Sequence, residues 1–369
     1  MIKILKTFSK LDEGGAETRT LQLIREIKKR EIKDLEFHIL SLSGEEGKLD
    51  QEFLREDAII HYIKLKELKF IPKFIKLVKN EKFDILYSNL FLFSGVFMLF
   101  GRILNVPSRV SHLRTLFDEK ENSIRFFRNI ILKVLIKKYS TLIIGVNESV
   151  LKRNFKEHDI SNDKFKVLYN GISSDSPSLM NCTKNNQINI VHVGRQVKAK
   201  NHRMLMSIFV EIKKLYPNSY LTLVGKMDDK VMEELNSIIE ENSIGNFVNF
   251  LGVQNNINKV FENKDLLVFP SVREGLPGVI LEALSNGVPV LASDIEPHKE
   301  IATFTSNLHV LSLDDKYQNW AKKAVSICSN SPNLNQSQII EDFKLTPFTL
   351  DQHVDDYLKI IYELHNRDS

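Results

Sequence analysis

The sequence predicts an α/β protein of two doubly wound domains, each a parallel sheet flanked by helices. Three observations carry this reading. Short β-branched and apolar runs alternate with helical patterns through most of the 369 residues, as βαβ units with strands buried on both faces require. That length is long for one core and comfortable for two of about 150 residues each. The two halves also open alike, with a strand, a glycine-bearing turn and a helix: ILKTFSKLDEGGAETRTLQLI from Ile4 and IVHVGRQVKAKNHRMLMSI from Ile190.

Taken in order, the front half should carry strands at Ile2–Leu5, Phe37–Leu42, Asp84–Ser88, Ser108–Arg114, Leu142–Val146 and Lys166–Tyr169. The stretch SSDSPSLMNCTKNN follows Ile172; it is polar and aperiodic, as a linker over 173–187 would be. The back half then predicts strands at Ile188–Val193, Tyr220–Val224, Val248–Leu251, Leu266–Pro270, Val288–Ala292 and Leu308–Leu311. Among its helices, Arg203–Lys214 places Leu205, Ile208, Phe209 and Ile212 on one face. The expected division is a domain over 1–172, the linker, a second domain over 188–345, and a closing segment over 346–369. Two such sheets would face each other across a cleft, with ligands beyond the carboxyl ends of the strands.

Composition narrows the class. A hydrophobic fraction of 43% and a charged fraction of 27% describe an ordinary globular chain. Met1–Phe8 reads as a first strand rather than a signal peptide, and Leu90–Phe100, broken by Ser94 and Gly95, is too short to cross a bilayer. Cys182 and Cys328 lack metal-ligand spacing and suit a reducing compartment, so a cytoplasmic protein is expected. The net charge of +4 is uneven: residues 1–172 hold 32 Lys+Arg against 23 Asp+Glu, and the rest 19 against 24. A basic front and an acidic back suggest different partners, none of them nucleic acid.

The most informative stretch is FPSVREGLPGVILEALSNGVPVLASD, Phe269–Asp294. Pro270 and Ser271 close a strand, Glu274-Gly275-Leu276-Pro277-Gly278 turns, and a helix follows that Gly287 and Pro289 stop. A glycine-bearing turn into a helix N-terminus offers backbone N–H groups and a favourable dipole to an anion. Glu274 stands before that cradle and Glu282 one to two turns behind it, both suited to accept hydrogen bonds from sugar-nucleotide hydroxyls. E-x7-E alone is better explained by two solvated glutamates; the flanking glycines and buried strands turn the reading toward a ligand.

A second element, Gly194-Arg195-Gln196-Val197-Lys198-Ala199-Lys200-Asn201-His202, follows the first strand of the back half. Gly194 lets the backbone turn beneath a ligand, while Arg195 and Lys200 can hold phosphate oxygens and stabilise a departing diphosphate. Solvated loop charges explain the same pair equally well in isolation. No D-x-D occurs, so neither metal nor cofactor is expected. A third element, Gly14-Gly15-Ala16-Glu17, opens the first helix and either admits a phosphate or is a flexible turn. The fourth is Ser111-His112-Leu113-Arg114 at a strand's carboxyl end, where His112 or Arg114 could meet an acceptor hydroxyl; a lone histidine is more often structural.

Together these residues resemble retaining glycosyltransferase family 4, which includes sucrose synthases, bacterial glycogen synthases and many capsule and lipopolysaccharide transferases. The likeness runs through GGAE, YNGI at Tyr169–Ile172, GRQVKAKNH, LVG at Leu223–Gly225, FLG at Phe250–Gly252 and REGLPGVILEALSNGVPVLASD. It implies the GT-B fold of two Rossmann-like domains, an acceptor-binding front domain, a donor-binding back domain, and a closing helix around Val354–Leu364 returning to the front. It further implies that Arg195 and Lys200 clamp the donor diphosphate, and that backbone at Gly275, Leu276 and Pro277 approaches phosphate and sugar. Glu274 would meet sugar hydroxyls and Glu282 the ribose, with Gly15, Gly194, Gly252 and Val253 completing the donor site. Family members place a histidine in the segment matching SHLRT; here either His112 or Arg114 occupies it. The implied reaction is metal-independent hexosyl transfer with retention by front-face substitution, from a nucleotide sugar, UDP being the family's commonest base. Glu274 and Glu282 are not a hydrolase's acid/base pair, which would flank the scissile bond.

Two segments bear on the acceptor. Ile124–Tyr139, IRFFRNIILKVLIKKY, has five basic residues and no acid, and Lys64–Phe83, KLKELKFIPKFIKLVKNEKF, is similar. Each fits either an anionic membrane surface or a buried helix with lysines reaching water. Two in the basic half favour peripheral contact with the inner face of the membrane, which suits a glycan or lipid-linked oligosaccharide acceptor. Competing readings are an epimerase or a phosphorylase of the same fold, the latter lacking a pyridoxal-binding lysine motif, and a non-catalytic nucleotide-sugar binder. A nicotinamide dehydrogenase is disfavoured because neither half has G-x-G-x-x-G.

Overall fold

The computed structural model describes residues 1–12, 14–114, 123–173, 187–330 and 336–367. The predicted linker lies mostly outside them, as does Thr115 of the SHLRT segment. The chain divides into two compact units, Met1–Gly171 with Leu350–Ser369, and Ile172–Thr349.

The first unit is a seven-stranded sheet of β1 (Ile2–Phe8), β2 (Leu35–Ser41), β3 (Ile59–Tyr62), β4 (Ile85–Ser88), β5 (Ser108–Leu113), β6 (Leu142–Gly145) and β7 (Phe165–Val167). Every pairing is parallel, in the order β3-β2-β1-β4-β5-β6-β7. Neighbouring residues feed opposite faces, as the two-residue period of a strand demands. Ile4, Ile39 and Ile85 pack with Leu21, Ile24 and Ile27 of the helix Gly15–Lys29 and with Val354, Tyr357 and Ile361 of the closing helix Leu350–Arg367. Leu5, Leu40 and Leu86 pack on the other side with Phe74, Val78, Phe97 and Met98.

The second unit has six parallel strands: β8 (Ile188–Val193), β9 (Ser219–Val224), β10 (Val248–Gly252), β11 (Leu266–Phe269), β12 (Val290–Ser293) and β13 (Leu308–Leu311). Their order is β10-β9-β8-β11-β12-β13. The helix His202–Leu215 buries Leu205, Ile208, Phe209 and Ile212, the four residues its periodicity selects, and ends one residue beyond the expected span on each side. Trp320 is fully buried in the same core and donates its indole N–H to the Ser312 carbonyl at 3.0 Å.

Both sheets are therefore the doubly wound α/β architecture the sequence predicts. One strand went unforeseen: β3 is a four-residue edge strand with two exposed ends, so it has no continuous apolar run to announce it. Strand ends shift by one or two residues elsewhere; Arg114 lies just past β5, Pro270 just past β11, and Val288 before β12 rather than within it. In each sheet the order reverses beside the first strand, between β1 and β4 and between β8 and β11. Side chains at the carboxyl ends of those pairs border the crevice where such sheets bind ligands. No helix among the described residues is long and apolar enough to cross a membrane.

Candidate active site

At the β8/β11 switch point the backbone is drawn tight by glycines. The Gly194 N–H donates to the Val224 carbonyl and the Gly225 N–H to the Gly252 carbonyl, each at 2.8 Å, tying together the ends of β8, β9 and β10. Gly225 sits at φ +139°, and a Cβ there would lie 2.2 Å from the Gly194 carbonyl oxygen, so only glycine fits. A Cβ on Gly194 would press on the Lys200 stem, 3.2 Å away. The glycine thus makes room for a lysine as well as for a ligand. Residues Lys198–Lys200 form a short 3₁₀ turn, and Asn201 at φ 54° redirects the chain into the next helix.

That turn delivers Lys200 to Glu274, with Nζ 2.7 Å from Oε1. The side chains are 19% and 13% exposed, so the pair is mostly sheltered but reachable. Lys200 Nζ also lies 4.5 Å above the centre of the Phe269 ring. The Ser271 hydroxyl is within hydrogen-bond distance of the same Glu274 oxygen and of the Ala199 carbonyl, which also accepts from the Val272 N–H. Ser293 donates to the Ser271 carbonyl. These bonds fix the 271–274 segment against the 198–200 turn.

Behind Glu274 the chain passes Gly275, Leu276 and buried Pro277 into the helix Gly278–Ser285, directing its N-terminus toward this segment. Glu282 is the fifth residue of that helix and partly exposed. The helix ends as the sequence requires. The Val288 N–H donates to Ala283 and the Gly287 N–H to Leu284, with Gly287 at φ +75°, a Schellman close.

Three histidines surround Phe269: His192 and His298 with ring centres 5.5 and 5.7 Å away, and His202 against His192 at 4.8 Å. Burial pushes all three below the ordinary imidazole value, His202 and His298 to about 4, and the Lys200 charge adds to the effect. The Nδ1 atoms of His192 and His298 face the carbonyls of Val268 and Ser293 at 2.9 and 2.8 Å and must donate to them. All three rings are therefore neutral at pH 7, and the positive charge of the site comes from Lys200 and Arg195. Arg195 is exposed at the turn after β8, and its guanidinium forms no ion pair among the described residues. Gly252, at φ +66°, and exposed Val253 lie at the end of β10. No group of three or more His, Cys, Asp or Glu side chains among the described residues could hold a metal ion.

In the first unit, His112 lies within β5, fully buried, with Nδ1 2.8 Å from the Tyr87 hydroxyl. Burial, then the charges of Arg114 and Lys6, hold its pKa well below normal. Arg114, just past the strand, donates to the amide oxygens of Asn89 at 3.2 Å and Asn170 at 2.8 Å. Gly15 is the first residue of its helix, and a Cβ there would meet nothing within 4 Å. Lys6 is completely buried, its amine 4.2 and 4.5 Å from the ring centres of Tyr87 and Tyr357.

The profile of "Glycosyl transferases group 1" matches residues 181–339, and that of "Glycosyltransferase Family 4" matches residues 13–176. The capsular polysaccharide biosynthesis glycosyltransferase CapH of Staphylococcus aureus is 31% identical over 350 residues, covering 92% of this chain and 95% of CapH. The chain belongs to glycosyltransferase family 4. An Escherichia coli relative, UDP-Gal:alpha-D-GlcNAc-diphosphoundecaprenol alpha-1,3-galactosyltransferase, is 25% identical over 246 residues, 63% of each chain. The crystal structure of HepE from Anabaena in complex with UDP superposes with a TM-score of 0.79 at 17% identity, covering 98% of this chain and 99% of HepE, which shows the GT-B fold.

Members of family 4 are retaining enzymes, and this transferase is one. Within it, the fold brings Lys200, Glu274 and the 274–278 turn together, whereas His112 and Arg114 lie in the other unit. Sequence reasoning gave no role to Ser271, Gly225 or the histidines around Phe269. Gly225 carried a signal, a glycine directly after a strand. The others did not, because a serine or histidine at a strand end is commonplace and its partners lie up to 76 residues away.

Proposed function

We propose that this transferase moves a hexose, with retention, from a UDP-sugar to a hydroxyl of a glycan or lipid-linked acceptor in cell-surface polysaccharide synthesis. The observation that carries the reading is the Lys200–Glu274 pair at the switch point of the second sheet, beside exposed Arg195 and a helix N-terminus. Cations, neutral histidines and a helix dipole together suit the charge of a diphosphate. The UDP bound to HepE and the UDP-galactose used by the E. coli relative favour uridine, and that relative's diphosphoundecaprenol substrate favours a lipid-linked acceptor.

In this account the donor binds to the second unit and the acceptor to the first. Arg195 and Lys200 take the diphosphate oxygens, and Gly194 and Gly252 with Val253 let backbone approach them. Gly275, Leu276 and Pro277 border the sugar, Glu274 accepts from its hydroxyls and Glu282 from those of the ribose. The bond from the anomeric carbon to the diphosphate breaks as a bond to the acceptor oxygen forms on the same face. The acceptor proton passes to the departing diphosphate. Of the two front-unit candidates, Arg114 beyond the strand end is the one we assign to the acceptor or the developing charge. His112, neutral and held by Tyr87, supports it from below, and Gly15 admits phosphate at the opening of its helix. We place the reaction at the cytoplasmic face of the membrane, where nucleotide sugars meet lipid-linked glycans.

A nucleotide-sugar panel tests this. UDP-sugars should raise the unfolding temperature, and mass spectrometry should show sugar added to a lipid diphosphate acceptor. Stabilisation by none of the nucleotide sugars would refute the reading.

A further inference from the structure

The structure separates the two basic amphipathic segments. In Lys64–Phe83 the helix Phe70–Glu81 buries Phe70, Phe74 and Val78 at four-residue spacing, so its main apolar stripe belongs to the core. In the second segment the helix Ser123–Tyr139 behaves differently. It buries Asn129, Leu132 and Ile136, and Leu132 and Leu135 press on Gly95 of the neighbouring helix Ser94–Ile103, where a Cβ would meet the Leu132 carbonyl at 2.6 Å. Its larger apolar residues point outward instead: Phe126 54%, Phe127 65%, Ile130 44%, Ile131 60% and Val134 56% exposed.

At about 100° per residue these five side chains span an arc of about 140°, a continuous ridge along two turns. Scattered exposed apolar residues are normal, but a contiguous ridge with two adjacent phenylalanines is not. Arg125, Arg128, Lys133, Lys137 and Lys138 surround it, and the helix has no acid of its own. The nearest carboxylate in contact is Asp159, which pairs with Lys137. A protein partner of ordinary surface would have to supply acids matched to each cation. An anionic bilayer supplies negative charge at every position around the ridge and an apolar layer beneath it.

We propose that this face of the helix Ser123–Tyr139 docks on an anionic lipid surface, with Phe126, Phe127, Ile130, Ile131 and Val134 inserted and the basic residues at headgroup level. The proposal concerns a surface, not the transfer reaction, and stands or falls separately from the donor and acceptor assignments.

The test is sedimentation of the full chain with phosphatidylcholine vesicles, with and without about one third phosphatidylglycerol. Binding should require the anionic lipid and weaken as salt is raised. The variant carrying Phe126→Ser, Phe127→Ser and Ile131→Ser should bind roughly a hundredfold more weakly, since three exposed apolar groups lose their insertion. Its thermal unfolding should be unchanged, because these side chains contribute no core. A control variant, Ile71→Ser, alters an exposed apolar residue of the other segment and should bind as the wild type does. Failure of the wild type to bind anionic vesicles would overturn the proposal, as would full binding by the triple variant. So would a wild-type dimer that the triple substitution converts to monomer without any lipid binding, which would assign the ridge to a second copy.

Discussion

Lys200 Nζ and Glu274 Oε1 are 2.7 Å apart although 74 residues separate them in the chain. The contact joins the turn after β8 to the turn after β11, the two strands that flank the switch point, and it places a cation and an acceptor side by side where a sugar diphosphate would need both.

Replacing Lys200 by alanine should therefore injure turnover far more than folding. Losing one donor aimed at developing charge costs roughly a hundredfold to a thousandfold in kcat. The stability loss should be about 1–2 kcal/mol, since Ser271 still holds Glu274. Steady-state kinetics and urea unfolding of the same variant check this, and comparable damage to both would count against a leaving-group role.

The glycines make a sharper contrast. Gly225→Ala forces a Cβ into the Gly194 carbonyl at an unfavourable φ and should cost about 3 kcal/mol of stability. Gly194→Ala meets only the flexible Lys200 stem, so it should cost about 1 kcal/mol while displacing the amine and lowering kcat. The measurement is denaturant unfolding alongside activity, and the order of the two stability losses is the decisive result.

Buried neutral histidines dictate an acid limb. His202 and His298 titrate near 4 when folded and near 6.5 when unfolded. Above pH 6.5 neither state binds the proton; below it the unfolded chain takes it up first, so stability falls as the pH drops from 6.5 toward 4. Each such histidine contributes a slope of about 1.4 kcal/mol per pH unit. His202→Phe should flatten the curve by that amount across this window, and an unchanged slope would show that His202 is not held neutral.

Tyr357 anchors the closing helix to the first sheet, with Lys6 beneath its ring and its hydroxyl without a hydrogen-bond partner. Tyr357→Ala should cost about 3–5 kcal/mol. Tyr357→Phe should leave stability unchanged or raise it by about 1 kcal/mol, because it removes a buried, unsatisfied hydroxyl. Calorimetry of the two variants separates packing from polarity.

The architecture was legible because buried parallel strands write continuous apolar runs, as Ile188–Val193 and Leu266–Phe269 do. β3 was not, since an edge strand with exposed ends leaves no such run. The donor turn was legible as glycines and a proline placed around a helix. The pairing of Lys200 with Glu274 was not, because local spacing carries no information about which side chains a sheet's crossovers bring together. For the same reason, two basic amphipathic segments looked alike, and only packing showed that Phe74 lies in the core while Phe127 lies outside it.

The most direct test of the donor site is a crystal structure of the protein soaked with UDP or a UDP-sugar. The diphosphate should lie against Arg195, Lys200 and the 274–278 turn, with the sugar at Glu274. A nucleotide bound away from Arg195 and Lys200, with the Lys200–Glu274 contact undisturbed, would contradict the account.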